Sequence, residues 1–345
     1  MRPKLIIMLL TAGLGFMQVA KAQTTDSVAN NMLLYQRSVG GWPKAVNEVK
    51  VDYNKTLTDA QKASTLKDAG RIDATIDNSA TFKEITYLVN AYKQTNNKAY
   101  LQSAEKGIRY LLKAQYANGG WPQYYPDSSL YRGQITFNDN AMINVMNLLY
   151  NVANRTKGFE VVDQALVAPA ADAVKRGVDC ILKTQIKVNG KLTAWNQQYD
   201  RHTLQPVMAR KFELVGLATS ESAAIVEFLM RLPSPSAGIK TSISSAVAWF
   251  DAVKITGYRF DHITDNSQPS KKDAVLVADP NATIWARYYE IGSNKPFFSG
   301  RDSQKKYNLT EIENERRAGY AWYGVWPAKI LSKQYPAWAQ KNSVN

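Results

Sequence analysis

Five oxygen-bearing side chains stand where apolar helical runs begin: Asp77 and Asn78 in IDNSATF, Asn138 and Asp139 in FNDNAM, and Glu221 in SES. Taken singly, a carboxylate in that position is a helix cap that accepts a backbone N–H. Paired at corresponding points, Asp77 with Asn78 and Asn138 with Asp139 offer hard oxygen donors of the kind that suits calcium. Arginines gather with aromatics in the last quarter, from Arg287 through Arg301 to Arg316 and Arg317. They could neutralise and orient an anionic substrate. Other common chemistries are poorly served. Histidine occurs only at His202 and His262, in no metal-ligating spacing, which argues against a serine triad or a histidine zinc site. Each Gly-Gly pair is followed by Trp-Pro rather than Lys-Ser or Lys-Thr, so no phosphate-cradling loop is present.

The elements that must position these groups repeat. The spacing Q-x-x-x-G-x-W occurs at Gln36, Gly40 and Trp42 and again at Gln115, Gly119 and Trp121. Gly119 and Gly120 can end a helix with positive φ, letting Trp121 fold back onto it. EKGIRYLLKAQ at 105 to 115 matches KRGVDCILKTQ at 175 to 185, and a degraded third copy puts Val253 and Lys254 where Leu182 and Lys183 stood. Each copy carries a helical apolar stripe: Leu101, Ala104, Ile108 and Leu111; Ala171, Val174, Val178 and Ile181; Ile243, Ala246, Phe250 and Val253. With the helices opening near Asp77, Asp139 and Glu221, the chain reads as three helical hairpins, about 77 to 116, 139 to 185 and 220 to 256. RLPSPSAG at 231 to 238 reads as a turn within the third. Closing three hairpins into a ring would bury the inner helices and bring the three acidic helix starts to one mouth.

Met1 to Ala22 reads as a secretory signal, with basic Arg2 and Lys4, an apolar run from Leu5 to about Phe16, and cleavage near Ala22. That run is too short to span a bilayer, so residues 23–345 are expected to form one domain in the periplasm or outside the cell. The one cysteine, Cys180, allows no internal disulfide and reads as a buried helix residue. The formal charge of +14 comes from 43 basic and 29 acidic residues, and loss of Arg2, Lys4 and Lys21 with the signal leaves +11. In a secreted protein this excess points to a polyanionic partner other than nucleic acid, or to solubility alone.

The motifs GGWPK (40 to 44), NGGWPQYYP (118 to 126), ITFNDNAM (135 to 142), MARKFELVGLATSES (208 to 222), WARYYEI (285 to 291), PFFSGRD (296 to 302) and ERRAGYAWYG (315 to 324) resemble the pectate lyases of polysaccharide lyase family ten. The resemblance spans essentially the whole mature chain. It implies an all-α fold, an (α/α)3 toroid, and cleavage of polygalacturonate by β-elimination with calcium (Ca2+). It places Arg210 at the catalytic base, Asp77 and Asp139 at calcium-associated positions with Asn78 beside them, and Arg287 and Arg301 at substrate-binding positions. Lys44 and Trp121 are further candidates for substrate contact, although a tryptophan in such a loop usually packs. The segment Leu214-Val215-Gly216 departs from the proline-containing stretch of the family pattern. A monomer acting on low-ester pectin is expected.

Other readings compete. Q-x-x-x-G-x-W also resembles a motif of the triterpene cyclases, but the D-x-D-D acid segment is missing. A glycoside hydrolase would use paired carboxylates such as Asp139 and Glu221 as acid and base. A non-catalytic polyuronate-binding protein would need none of them. The reading of Arg210 from spacing alone is a salt bridge to Glu213.

Overall fold

A computed structural model describes residues 25–344, and the expected signal, Met1 to Ala22, lies outside them. Three helical hairpins form the frame: Phe82–Thr95 with Lys98–Ala114, Ala141–Ala153 with Val167–Thr184, and Thr219–Met230 with Ala237–Ala252. The first helices of the three form one layer and the second helices another, with Ala141–Ala153 packed between the other two of its layer. Its sequence, AMINVMNLLYNVA, is apolar on nearly every side because it has helical neighbours on nearly every side. The outer helices are amphipathic. Lys98–Ala114 buries Ala104, Gly107, Ile108 and Leu111 on one face and begins at Asn97, whose side chain accepts the Ala99 N–H at 3.1 Å. Cys180 is buried on Val167–Thr184, and burial pushes its thiol up to about 12.

The Q-x-x-x-G-x-W spacing is a staple between hairpins. The Gln115 amide donates to the carbonyl of Gly119 at 2.9 Å and to that of Ala173, on the next outer helix, at 2.9 Å. Gln36 does the same to Gly40 and Ser103, and Gln185 to Thr193 and Ser242. The tryptophans fold back: the indole N–H of Trp42, Trp121 and Trp195 each donates at 2.8 Å to a carbonyl of a preceding helix, on Met32, Leu111 and Ile181. Gly40 and Gly119 take φ of +112° and +93°, and a Cβ on Gly119 would sit 2.0 Å from the Arg176 carbonyl oxygen. The matched glycines of the repeat have a reason too. A Cβ on Gly107 or Gly177 would press into the ring of Trp42 or Trp121, at 2.8 and 3.1 Å.

The all-α toroid expected of the three hairpins is not what the chain forms. Among the described residues there are fourteen strands in six sheets. The third hairpin ends at Ala252, and Ile255–Thr264 pairs antiparallel with Lys272–Ala286 in a long β-hairpin. Its sequence ITGYRFDHIT is rich in β-branched and aromatic residues, a strand composition lying where the repeat pattern suggested a helix end. The other ladders are short and stitch the hairpin loops together. Thr75 bridges to Tyr124, Ile135 and Thr136 pair with Tyr199 and Gln198, and Ala218 pairs with Tyr288. No helix of the described residues is long and apolar enough to cross a membrane.

The staple makes Gly119 far less replaceable than an ordinary turn glycine. Gly119→Ala should cost about 2–5 kcal/mol in urea unfolding, because the new methyl meets backbone that cannot yield. Gly190→Ala, with φ +78° but nothing within 4 Å, should cost about 1 kcal/mol. Equal losses at the two sites would contradict the close approach.

Candidate active site

Each acidic helix start hangs from a stapled tryptophan. The N–H groups of Thr75, Thr136 and Ala218 donate to the carbonyls of Trp42, Trp121 and Trp195 at 3.0, 3.0 and 2.7 Å. Asp77, Asp139 and Glu221 follow two or three residues later in the chain. At the first two of these points the backbone turns left-handed, with φ of 48° at Asn78, 50° at Asp139 and 58° at Asn140. Non-glycine residues adopt that conformation at a cost, and such strain collects at functional sites. It turns the loops into one wall of a cleft of about 840 Å³, lined by Lys44, Asn78, Ser79, Asp139, Asn140 and Arg287.

Arg287 is the buried cation of this cleft. It donates to Glu221 Oε1 at 2.5 Å, lies 3.8 Å from Asp139 Oδ1, and stacks over the Tyr320 ring at 4.8 Å. Burial would lower its pKa, but Glu221 and the other anions around it raise it, so it stays protonated. Glu221 is itself buried and takes a second hydrogen bond from Gln197 at 3.1 Å. Asp139 is held above the usual carboxylate range, first by burial and then by the charges of Glu221 and Asp77, against the pull of Arg287 and Arg210. Asp77 and Asp139 therefore stand within electrostatic reach of one another. The Asp77 carboxylate is covered by the Lys44 ammonium, which also sits 5.9 Å from the Tyr124 ring centroid. Burial alone would lower the Lys44 pKa, but the bond and charge of Asp77 outweigh it and raise it.

Arg210 is paired with Glu213. Its Nε donates to Glu213 Oε2 at 2.8 Å and its Nη2 to Oε1, while its guanidinium lies over Phe212 at 4.9 Å. Phe212 meets Tyr320 edge to face at 5.6 Å, so Arg210 and Arg287 flank one aromatic pair. Glu213 raises the Arg210 pKa against the effect of burial. Arg301 is not on the cleft wall. It is exposed and bound to Glu315 at 2.6 Å. Trp121 is fully buried, with its indole N–H spent on Leu111, and presents no face to a sugar. Its expected contact with substrate is corrected to packing: the same fold-back that makes the staple hides the ring.

Glu213, Tyr320 and Asn138 belong to this site more deeply than their sequence motifs suggested. Asn138 and Tyr320 both donate to Glu213 Oε1 at 3.4 Å, and the Tyr320 hydroxyl lies 2.7 Å from that of Tyr288. The signal for Glu221 was its repeat position. The signal for Tyr320 was only its place in the motif ERRAGYAWYG, since it arrives from over a hundred residues away.

Among the described residues no three His, Cys, Asp or Glu side chains are grouped to hold a metal. Yet buried oxygens of Asn138, Asn140 and Glu221 lack any partner, and Asp139 is an anion crowded by anions. This donor chemistry would fit a hard dication, with Asp139 and Asn78 at the cleft to hold it. Relief of the crowding at Asp139 should be measurable without any ligand. Because its folded-state pKa is raised, its charge weakens the fold as pH rises through that raised value. Asp139→Asn should raise the Tm of the metal-free protein at neutral pH by a few degrees, with the gain vanishing in acid where Asp139 is protonated. A lower Tm across the pH range would contradict this.

The family model described as pectic acid lyase matches residues 36–331. Among solved structures, a family 10 polysaccharide lyase from Cellvibrio cellulosa is 34% identical, with a TM-score of 0.80 over 92% of each chain. A mutant of a family 10 polysaccharide lyase from the same organism, in complex with trigalacturonic acid, is also 34% identical, with a TM-score of 0.79 over 91% of this chain and 92% of its own. No curated protein sequence matches the chain. The matched length, the fold and the cleft agree, and the chain belongs to the pectate lyases of polysaccharide lyase family 10.

Proposed function

We propose that this polysaccharide lyase cleaves polygalacturonate by β-elimination, with Arg210 taking the C5 proton, Arg287 binding a substrate carboxylate, and calcium held by Asp139, Asn78 and Asp77. The observation that carries the reading is that Asp139 and Arg287 line one polar cleft 3.8 Å apart, with Arg210 near enough for its charge to act on Asp139, in a chain with two histidines. We further propose that the leader exports the enzyme to where its substrate lies.

Removal of the C5 proton leaves its electron pair to form the C4–C5 double bond, while the C4–O bond breaks and the departing oxygen takes up a proton. The charge that builds on the substrate carboxylate must be met where it develops. Calcium, when bound, would supply a charge that withdraws electron density from C5. Arg287, held in place by Glu221 and Tyr320, contributes a fixed positive charge with its Nε still unpartnered. Lys44 would turn from Asp77 toward a substrate carboxylate, which frees Asp77 as an oxygen donor. Arg210 must lose a proton before it can accept one, and its pairing with Glu213 opposes that step. Movement of Arg210 away from Glu213 toward substrate, beside bound cations, would lower its pKa. The side chain has room to do so, being 41% exposed.

Hydrolysis by Asp139 and Glu221 is disfavoured because Glu221 is sealed behind Arg287 and Gln197. Ultraviolet absorbance of the 4,5-unsaturated product should grow with polygalacturonate, stop with chelator and resume with calcium. Saturated products with new reducing ends would contradict elimination. Arg210→Ala should lower kcat by about 10³-fold or more with little change in KM, as expected of a group acting in proton transfer. Near-normal kcat in Arg210→Ala would remove it from the chemistry.

A further inference from the structure

The cleft does not end at the acidic loops. Two of its lining residues, Lys50 and Lys83, also line a second cavity of about 680 Å³, which continues along the segment Val51 to Lys55. That second cavity adds Lys55, Asp52 and the aromatic rings of Tyr53 and Tyr87. The Lys83 ammonium bridges the two spaces, 5.9 Å from the Tyr53 ring centroid and 3.5 Å from the buried Glu84. Among the described residues Lys50 and Lys55 enter no ion pair, so both present unspent charge. Against these stand Glu48 in the first cavity and Asp52 in the second. Tyr87 is exposed, with its hydroxyl tied to Asp26 at 3.0 Å, which fixes the orientation of the ring.

We infer that this second cavity is a distal subsite for further sugar units of an anionic polysaccharide, with Lys50, Lys55 and Lys83 meeting carboxylates and Tyr87 offering a ring to a sugar face. The inference rests on the reading of the cleft as the place where polygalacturonate is cut. A cation row interleaved with aromatics suits a repeating polyanion with one carboxylate and one apolar sugar face per unit. Lys55 lines the second cavity and not the first, so contact with it needs a chain that extends past the first. Such a chain gains screened electrostatic attraction there. The cavity would therefore raise preference for polymer over oligomer without touching the chemistry.

The test compares kcat/KM on polygalacturonate with kcat/KM on trigalacturonate for the wild type and for Lys55→Glu, a change at an exposed position outside the core. The ratio of polymer to trimer should fall about fivefold in the variant, as for the loss and reversal of one exposed charge contact. The trimer value itself should stay within twofold. The fall should shrink as salt is raised through the range that screens surface charges. An unchanged ratio at low salt overturns the distal subsite, as does an equal fall on both substrates. Absence of unsaturated product from either substrate with the wild type would instead sink the elimination reading, and so is distinguishable. Tyr87→Ala, expected to lower the same ratio, separates ring contact from charge alone.

Discussion

The site depends on one neutral hydrogen-bonding device, the glutamine–tryptophan staple. Each glutamine amide spends both protons on carbonyls, one in its own loop and one on the next outer helix, and each tryptophan indole closes back on a helix behind it. A net hydrogen bond of this kind contributes about 1 kcal/mol, but a buried donor left without a partner costs more. The staple is therefore worth most as a constraint. It fixes the backbone carbonyls of Trp42, Trp121 and Trp195, and these receive the strands that carry Asp77, Asp139 and Glu221. Three separated stretches of chain thus deliver acidic residues to one region.

What the frame assembles is electrostatically costly. Asp139 carries a raised pKa among Glu221 and Asp77, the loops beside it turn left-handed, and buried oxygens go unpartnered. Arg287 and Lys44 offset part of this, one by a buried bond to Glu221 and the other by covering Asp77. Strain of this kind commonly collects at functional sites. The hydrophobic layers of the three hairpins tolerate that strain because the staples anchor each loop in the core.

Much of the fold was legible in the sequence because it is local and repeated. Helical stripes, the 105–115 and 175–185 match, and the turn at 231 to 238 each encode their own element through period and punctuation. The repeat also predicted that Asp77, Asp139 and Glu221 would correspond. What was not legible is non-local. The strand Ile255–Thr264 follows the degraded third copy, so the repeat masked a period-two segment whose partner, Lys272–Ala286, lies beyond a turn. The short ladders joining the loops involve two residues each, too few to leave a pattern. Trp121 could be read as packing or as a sugar contact, because a loop tryptophan has the same letters whether it folds inward or outward; it folds inward. The Arg210 pair with Glu213 was visible at spacing three, whereas its neighbours Tyr320 and Asn138 arrive from distant stretches.

Glu213 connects the architecture to the chemistry, since the carboxylate that orders Arg210 also keeps it protonated. If Arg210 is the base, the strength of that hold sets the pH at which turnover begins. The most direct measurement is the pH dependence of kcat for Glu213→Gln beside that of the wild type, with calcium saturating. Loss of the anion lowers the Arg210 pKa, so the rising limb of the profile should move to lower pH. A limb that stays in place, or moves to higher pH, would contradict Arg210 as the group that takes the proton.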